Sequence, residues 1–274
     1  MIKAKGSILI FTLWVLIILI MLTVALSRRA SSDIALAKYE HYNVKALYLA
    51  KAGIVKMLTE LTKDTNGYDS LNEDWNRNKD NHKELKIGDE TVFYGSSDED
   101  GRLNLNSPTL KKEQLVELGI VDAISHEIID YKTRKGDKGF EFMEELFLIE
   151  GMTAEIYSSI KDLVTIYRGI ESKVNINTAS EKALLAVIGD NSLVQEILVY
   201  RKGSDDKEGT EDDVIFKNPS DLSMIEGLDS SLFTVTSNVF RIWAQSFFSE
   251  DKKISREIEA VINRSGKIYL WKEY

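Results

Sequence analysis

Residues 6–40 read GSILIFTLWVLIILIMLTVALSRRASSDIALAKYE, and the fold turns on this stretch. From Ile8 to Leu26 no residue carries a charge. A helix of that length, at ~1.5 Å per residue, rises roughly 28 Å, about one hydrocarbon core. A secretory signal peptide has a shorter apolar region with a small-x-small site behind it. The nearest match, Ala25-Leu26-Ser27, runs straight into Arg28-Arg29. Residues 7–27 therefore read as a retained transmembrane helix.

The helical pattern continues past the arginines. Ala30, Ile34, Ala37, Val44, Leu47, Ala50, Ile54, Met57, Leu58 and Leu61 recur at helical spacings, with Lys38, Glu40, Lys45, Lys51 and Lys56 mostly between them. Gly53 is the one glycine between Gly6 and Gly67, and the first proline is Pro108. The economical reading is a single helix over residues 7–63, roughly 85 Å long. It starts in lipid, ends on a folded domain, and is stopped by Asp64-Thr65-Asn66-Gly67.

The chain carries a net charge of −9. Lys3, Lys5, Arg28 and Arg29 are its only charges up to residue 29, so the remainder bears −13. An acidic domain of that kind argues against nucleic-acid binding, which needs a basic face to displace counterions. There is no cysteine, so disulfides and thiolate metal sites are excluded. Positive charge flanks the apolar run on both sides, so orientation is not decided by charge alone.

The middle of the chain repeats itself. GRLNLNSPTLKKEQLVELG from Gly101 matches SKVNINTASEKALLAVIG from Ser172: apolar-Asn-apolar-Asn, a cap, then a helical run. EIIDYK (127–132) answers EILVYR (196–201), and EELFLIEGM (144–152) answers SDLSMIEGL (220–228). The offsets are not constant, so this is approximate duplication and not a strict solenoid. Both copies resemble helix-hairpin-helix units. The hairpin glycines Gly151, Gly189 and Gly227 have Glu150, Asp190 and Glu226 beside them, and such carboxylates would repel a phosphate. Compact helical packing without nucleic acid is the expected role.

The second copy carries seven extra residues around GSDDKEGTEDD (203–213), in which six acids surround Lys207. Water or a cation must relieve that repulsion. Hard oxygens on a flexible loop suit Ca²⁺, although the EF-hand spacing is absent. A solvated acidic loop is the alternative from spacing alone.

Before the repeats, ETVFYGSSDEDGRLNLN (90–106) reads as a strand, a polar connection closed by Asp100-Gly101, and a second strand. After them, 239–247, 254–263 and 268–271 read as a meander, with Ser249-Glu250-Asp251 and Arg264-Ser265-Gly266 as its turns. The amphipathic half of the first helix would cover its apolar face. The expected class is α+β: a long transmembrane and amphipathic helix packed on an antiparallel sheet, an arrangement that resembles the pilin-like fold, with a large helical insertion holding two helix-hairpin-helix-like repeats. The expected segments are a leader (1–6), the long helix (7–63), a first part of the pilin-like domain (64–106), the insertion (107–232) and a C-terminal sheet (233–274).

A short basic leader, a glycine, and a helix greasy first and amphipathic later resemble the type IV prepilins. In that family a dedicated peptidase cuts after the glycine and the new N-terminus is methylated. The resemblance implies cleavage between Gly6 and Ser7 and N-methylation of Ser7. The family's glutamate, fifth in the mature chain, falls at Phe11 and is missing. That absence, DEDGRLNLN before the insertion, Gly209-Thr210-Glu211-Asp212-Asp213 within it and YLWKE at the end are similar to the K-type minor pseudopilins of type II secretion. The resemblance implies calcium held by residues among Asp205, Asp206, Thr210, Glu211, Asp212 and Asp213. It further implies a single-pass inner-membrane protein with its C-terminal domain in the periplasm, at the tip of a short filament. There it would initiate or cap assembly for protein export across the outer membrane, with I- and J-type minor pseudopilins as partners and the prepilin peptidase as processing enzyme.

No enzyme pattern emerges. His41, His82 and His126 lie far apart, and there is no H-E-x-x-H, nucleophile elbow or phosphate-binding loop. Glu144-Glu145 reads as a solvated face, and Trp75, Trp243 and Trp271 as core or interface aromatics. A second functional reading is a membrane-anchored helix-hairpin-helix DNA receptor, which the −13 domain disfavours.

Overall fold

The structure, a computed structural model, describes residues 5–168, 171–248 and 254–274. Residues 1–4 of the expected leader and the 249–251 turn lie outside the described residues, as do the side chains of Lys5 and Ser7. Helix α1 spans Lys5–Lys63 without a break. The main sheet has five antiparallel strands in the order β1-β2-β7-β8-β9: Lys83–Ile87, Glu90–Asp98, Val239–Phe248, Ile254–Asn263 and Ile268–Glu273. The remaining strands β3 (Leu103–Asn104), β4 (Val164–Thr165), β5 (Val174–Asn175) and β6 (Phe233–Thr234) close the inserted repeats.

The C-terminal half of α1 lies on one face of the sheet. Ala46, Leu49, Ala50, Ile54, Met57 and Leu61 are buried there against Val92, Tyr94, Phe240, Ile242, Ala244, Ile258, Ala260 and Ile262. Each large side chain so buried contributes on the order of 1.5–3 kcal/mol. Gly53 sets the approach: a Cβ there would come within 2.8 Å of both Ala244 Cβ and Val92 Cγ1. Arg264, in the β8–β9 turn, closes the helix end. It donates to the Leu61 and Asp64 carbonyls, its guanidinium pairs with Asp69, and its Nε donates to the Ser237 carbonyl.

The structure refines two expectations. The apolar spacing runs from Ala30 to Leu61, but the domain covers only its later part: Ala30, Ile34, Ala37 and Val44 are exposed, and burial begins near Tyr42 and Ala46. The sheet is simply too short to reach them. The second strand expected in 90–106 forms, as β3, but lies outside the main sheet. Leu103 pairs in parallel with Val164, and the strand beside β2 is β1, through a turn at Gly88. Between β2 and β3 lie Asp98, Glu99 and Asp100, all buried, with Glu99 paired to Arg241 and Asp100 to Arg168.

Each repeat is a closed module. In the first, α2 (Lys112–Glu117), α3 (Asp122–Lys135) and α4 (Ala154–Ile160) lie between β3 and β4. In the second, α5 (Glu181–Ile188) and α6 (Asn191–Arg201) lie between β5 and β6. The Asn-x-Asn phrases do the same work in both. Asn106 Oδ1 accepts from Phe140 N at 2.7 Å while its Nδ2 donates to Phe140 O at 2.9 Å. Asn177 holds Phe216 in the same two-way clamp, at 3.0 and 2.9 Å. A side-chain amide is the neutral group that can satisfy a buried N–H and C=O at once. Ser180 and Asp190 cap α5 and α6 through their side-chain oxygens.

Candidate functional site: an exposed helix and an acidic loop

Two features stand out as functional surfaces. The first is the free part of α1. Every residue from Ile8 to His41 is exposed, so roughly 50 Å of helix projects beyond the domain. Its first part is long and apolar enough to cross a membrane. Phe11 is exposed within it, and Thr12 and Thr23 return their hydroxyls to the Leu9 and Leu19 carbonyls, so neither hydroxyl needs a partner from the lipid. The backbone of Gly6 and Ser7 lies in the first helical turn.

The second is the 203–213 loop, which leaves the end of α6 and returns where Val214 N donates to Arg201 O. Gly203, at φ +62°, sits against the Asp212 carbonyl, 2.3 Å from where a Cβ would stand, so a side chain there is excluded. Asp212 Oδ2 accepts from Ser204 N at 2.7 Å, Ser204 Oγ at 2.6 Å and Asp205 N at 3.1 Å. The Ser204 hydroxyl, the Thr210 hydroxyl and those amides hold the Asp212 carboxyl far below the usual carboxylate range. The Thr210 hydroxyl lies within 3.4 Å of Asp205 Oδ1, 2.8 Å of Asp212 Oδ1 and 3.0 Å of Asp213 Oδ1. Three expected carboxylates thus converge on one hydroxyl. Asp213 Oδ2 also accepts from Gly209 N at 2.7 Å.

The other two expected residues are not part of that convergence. Asp206 sits at φ +57° and pairs with Lys202 at 3.3 Å, and Glu211 is exposed. Glu208, which the sequence reading left out, pairs at 2.7 Å with the buried guanidinium of Arg201 and fastens the loop to α6. Asp205, Asp212, Asp213 and Thr210 would be the residues to hold a hard cation, though among the described residues the carboxylate oxygens that all lie within 4.8 Å of one another are elsewhere.

A second group of carboxylates, Asp64, Asp69 and Glu73, brings oxygens within 4.8 Å of one another, but Arg264 pairs with two of them and Asn66, Ser70 and Trp75 donate to the third. Burial nevertheless pushes the Asp69 carboxyl up to about 6. The hairpin glycines Gly151, Gly189 and Gly227 have φ of +83°, +74° and +86°, as tight hairpins require. The histidines stay on separate elements: His82 packs on Phe93, His126 faces Asp130, and His41 lies on the free helix.

Sequence reading missed the acidic triplet Asp98-Glu99-Asp100. All three are buried, and each is bound by a different part of the chain. Glu99 meets Arg102 at 3.0 Å, Arg241 at 2.6 Å and the Thr165 hydroxyl at 2.6 Å. Burial opposes its charge, but the two arginines prevail and hold its carboxyl below the usual range. Asp100 binds Arg168 at 2.5 Å and accepts from Val239 N at 3.0 Å. Three consecutive acids before a glycine look like a solvated turn. Gly101 was the available signal, since a Cβ there would meet Thr178 Oγ1 at 2.6 Å.

No family model matches the sequence, and no curated protein matches it. Among solved structures, a chain of the GspK–GspI–GspJ complex from the type 2 secretion system of enterotoxigenic Escherichia coli aligns with a TM-score of 0.56. The alignment covers 90% of this chain and 99% of that one, at 16% identity. The fold is therefore that of a type II secretion pseudopilin: a long apolar N-terminal helix on an antiparallel sheet, with mixed α and β content.

Proposed function

We propose that the protein is a K-type minor pseudopilin, placed at the tip of a short periplasmic filament that serves type II secretion. The observation that carries this reading is the bare helix from Ile8 to His41 joined to a domain with a bulky insertion. A helix with that much exposed apolar surface needs lipid first and neighbouring helices later. Filaments of this kind stack subunits about their first helices. A large side domain repeated at every level would clash, so it fits once, at the end. Phe11, where the pilin family has a glutamate, suits a subunit with no neighbour above it, since an unmatched carboxylate in lipid is costly.

In this reading the prepilin peptidase cuts between Gly6 and Ser7, and Ser7 is N-methylated. The chain then spans the inner membrane once, with its domain in the periplasm. Its partners are the I- and J-type minor pseudopilins, and the solved neighbour being a complex of three such proteins supports that choice. The 203–213 loop holds calcium through Asp205, Asp212, Asp213 and Thr210, the convergence of those oxygens on one hydroxyl being the support.

Intact mass of the full chain, co-expressed with a prepilin peptidase and extracted from membranes, tests the assembly route. A mature chain beginning at Ser7 with an added methyl is expected; an uncut chain, or one cut near Ser27, overturns it. For calcium, the melting temperature of the full chain should rise on addition of the ion. Asp212→Ala combined with Asp213→Ala should abolish the rise. A calcium-independent melting temperature in the unmodified protein removes the metal from the proposal.

A further inference from the structure

Where the second repeat meets β2 and β7 lies a buried carboxylate that, among the described residues, has no ion pair. Asp98, at the end of β2, accepts at Oδ1 from Asp100 N at 2.8 Å. At Oδ2 it meets the Thr178 hydroxyl, the Ser237 hydroxyl at 2.7 Å and Asn175 Nδ2 at 3.4 Å. Among the described residues no ion pair reaches it, although its neighbours Glu99 and Asp100 both have arginines. Asn175 and Thr178 belong to the second repeat, and Ser237 to the entry of β7. Asn175 Nδ2 also donates to the Asp69 carbonyl at 3.1 Å and to Ser237 Oγ at 2.7 Å, and Ser237 N donates to Asp69 Oδ2 at 2.6 Å. The repeat, β2 and β7 therefore meet at this carboxyl, and Asn175 and Ser237 link it to the α1–β1 connection.

The surrounding charges do not neutralise it. Asp100 faces it and is bound to Arg168, while Glu99 is turned away onto Arg102 and Arg241. Asp69 is engaged with Arg264, with Asp64 and Glu73 behind it. From the second repeat, Arg201 reaches the Ala179 carbonyl, but its other arm is committed to Glu208.

The contacts allow both protonation states. With the carboxylate ionised, every partner donates to it. With it protonated, the Thr178 hydroxyl turns to the Asn175 carbonyl, 3.5 Å away, and accepts the new proton from Asp98. Neither arrangement leaves a buried group unsatisfied, but only the ionised one places an unpaired charge in the interior beside a second carboxylate.

We propose that Asp98 is a proton-operated latch: protonated, it holds the second repeat against the pilin-like part, and ionised, it loosens that junction. Burial, followed by the Asp100 charge, pushes the Asp98 carboxyl up to about 7, in keeping with this arrangement. A folded-state value above the unfolded one means that the stabilising contribution is complete below the ordinary carboxylate range. It declines as pH rises toward 7 and is gone above it.

The test is hydrogen exchange on the full chain in detergent, comparing the native protein with Asp98→Asn at pH 5.5 and 7.5. The asparagine keeps the shape and is neutral at both values, and any slope from Asp69 is common to the two proteins. Opening of the 174–178 segment in the native protein is expected to rise on the order of tenfold relative to the variant over that interval. Equal pH dependence in the two proteins overturns the proposal. Should the variant fail to fold, the ¹³C carboxyl shift of Asp98 in the native protein decides. A titration midpoint near neutrality supports the latch, and one below pH 5 refutes it.

Discussion

The two repeats are built alike and attached differently. Each is clamped by an asparagine on a phenylalanine, Asn106 on Phe140 and Asn177 on Phe216, and each closes on a short parallel strand pair. The first shares one apolar core with the sheet: Leu105, Leu115, Ile128, Leu146 and Ile160 are continuous with Val239 and Val261 on the face opposite α1. The second builds a core of its own among Val174, Ile176, Leu184, Ile197, Phe216 and Phe233, with Ala186 of α5 reaching into the first. It meets the sheet through Asn175, Thr178 and the carboxylates of β2, and packs α5 on α2 of its sister. Apolar docking does not respond to pH, whereas docking through buried carboxylates does. The duplication therefore produced one attachment that is mainly apolar and one that, on the latch proposal, answers to pH.

Phe216→Ala should break this contrast most sharply. Phe216 is fully buried in the separate core, so the cost is about 3–5 kcal/mol. Hydrogen exchange should show lost protection confined to the second repeat, while truncation of Leu146 in the shared core should weaken the repeat and the sheet together. Glu99→Gln comes next, at roughly 3 kcal/mol, since it leaves Arg102 and Arg241 facing a neutral group. Its pH behaviour has the opposite sign to that of Asp98. Because the Glu99 carboxyl lies below its ordinary range, the stability it supplies is present above the unfolded value and lost as pH falls. The variant should therefore be most destabilised near neutrality and less so in acid, as followed by denaturant melts at a series of pH values.

Asn177→Ala, which orphans the Phe216 backbone, should cost about 1–3 kcal/mol, and Asn106→Ala a similar amount. Equal costs would show that the clamps are equivalent despite their different surroundings. The smallest effect is expected from Lys272→Ala. It removes a half-exposed pair with Glu144 between β9 and the first repeat and should shift stability by less than about 1 kcal/mol. A larger loss would mean that the first repeat, too, depends on polar docking.

Some of this was legible along the chain. Helical spacing and the absence of proline placed α1, and its last residue, Lys63, sits just before the Asp-Thr-Asn-Gly stop. Alternation and turn chemistry located β7, β8 and β9. Strand β1 was not seen, because Lys83-Glu84-Leu85-Lys86-Ile87 offers a short, charged alternation that gains its meaning only beside β2. In the acidic loop the residue types were visible, but which of them converge was not. Gly203, Ser204 and Thr210 select Asp205, Asp212 and Asp213, while Asp206 and Glu211 point elsewhere.

By itself the sequence determined what depends on neighbours along the chain: the long helix, its apolar first half, the duplicated phrases and the late strands. Periodicity and capping are local, so the order of residues suffices to specify them. Tertiary structure decided where α1 stops being covered, that Leu103 lies outside the main sheet, and what Asp98, Glu99 and Asp100 do. A run of three acids before a glycine has the same composition whether water or arginines surround it. Only the fold brings Arg102, Arg168 and Arg241 to two of them and leaves the third without a counterion.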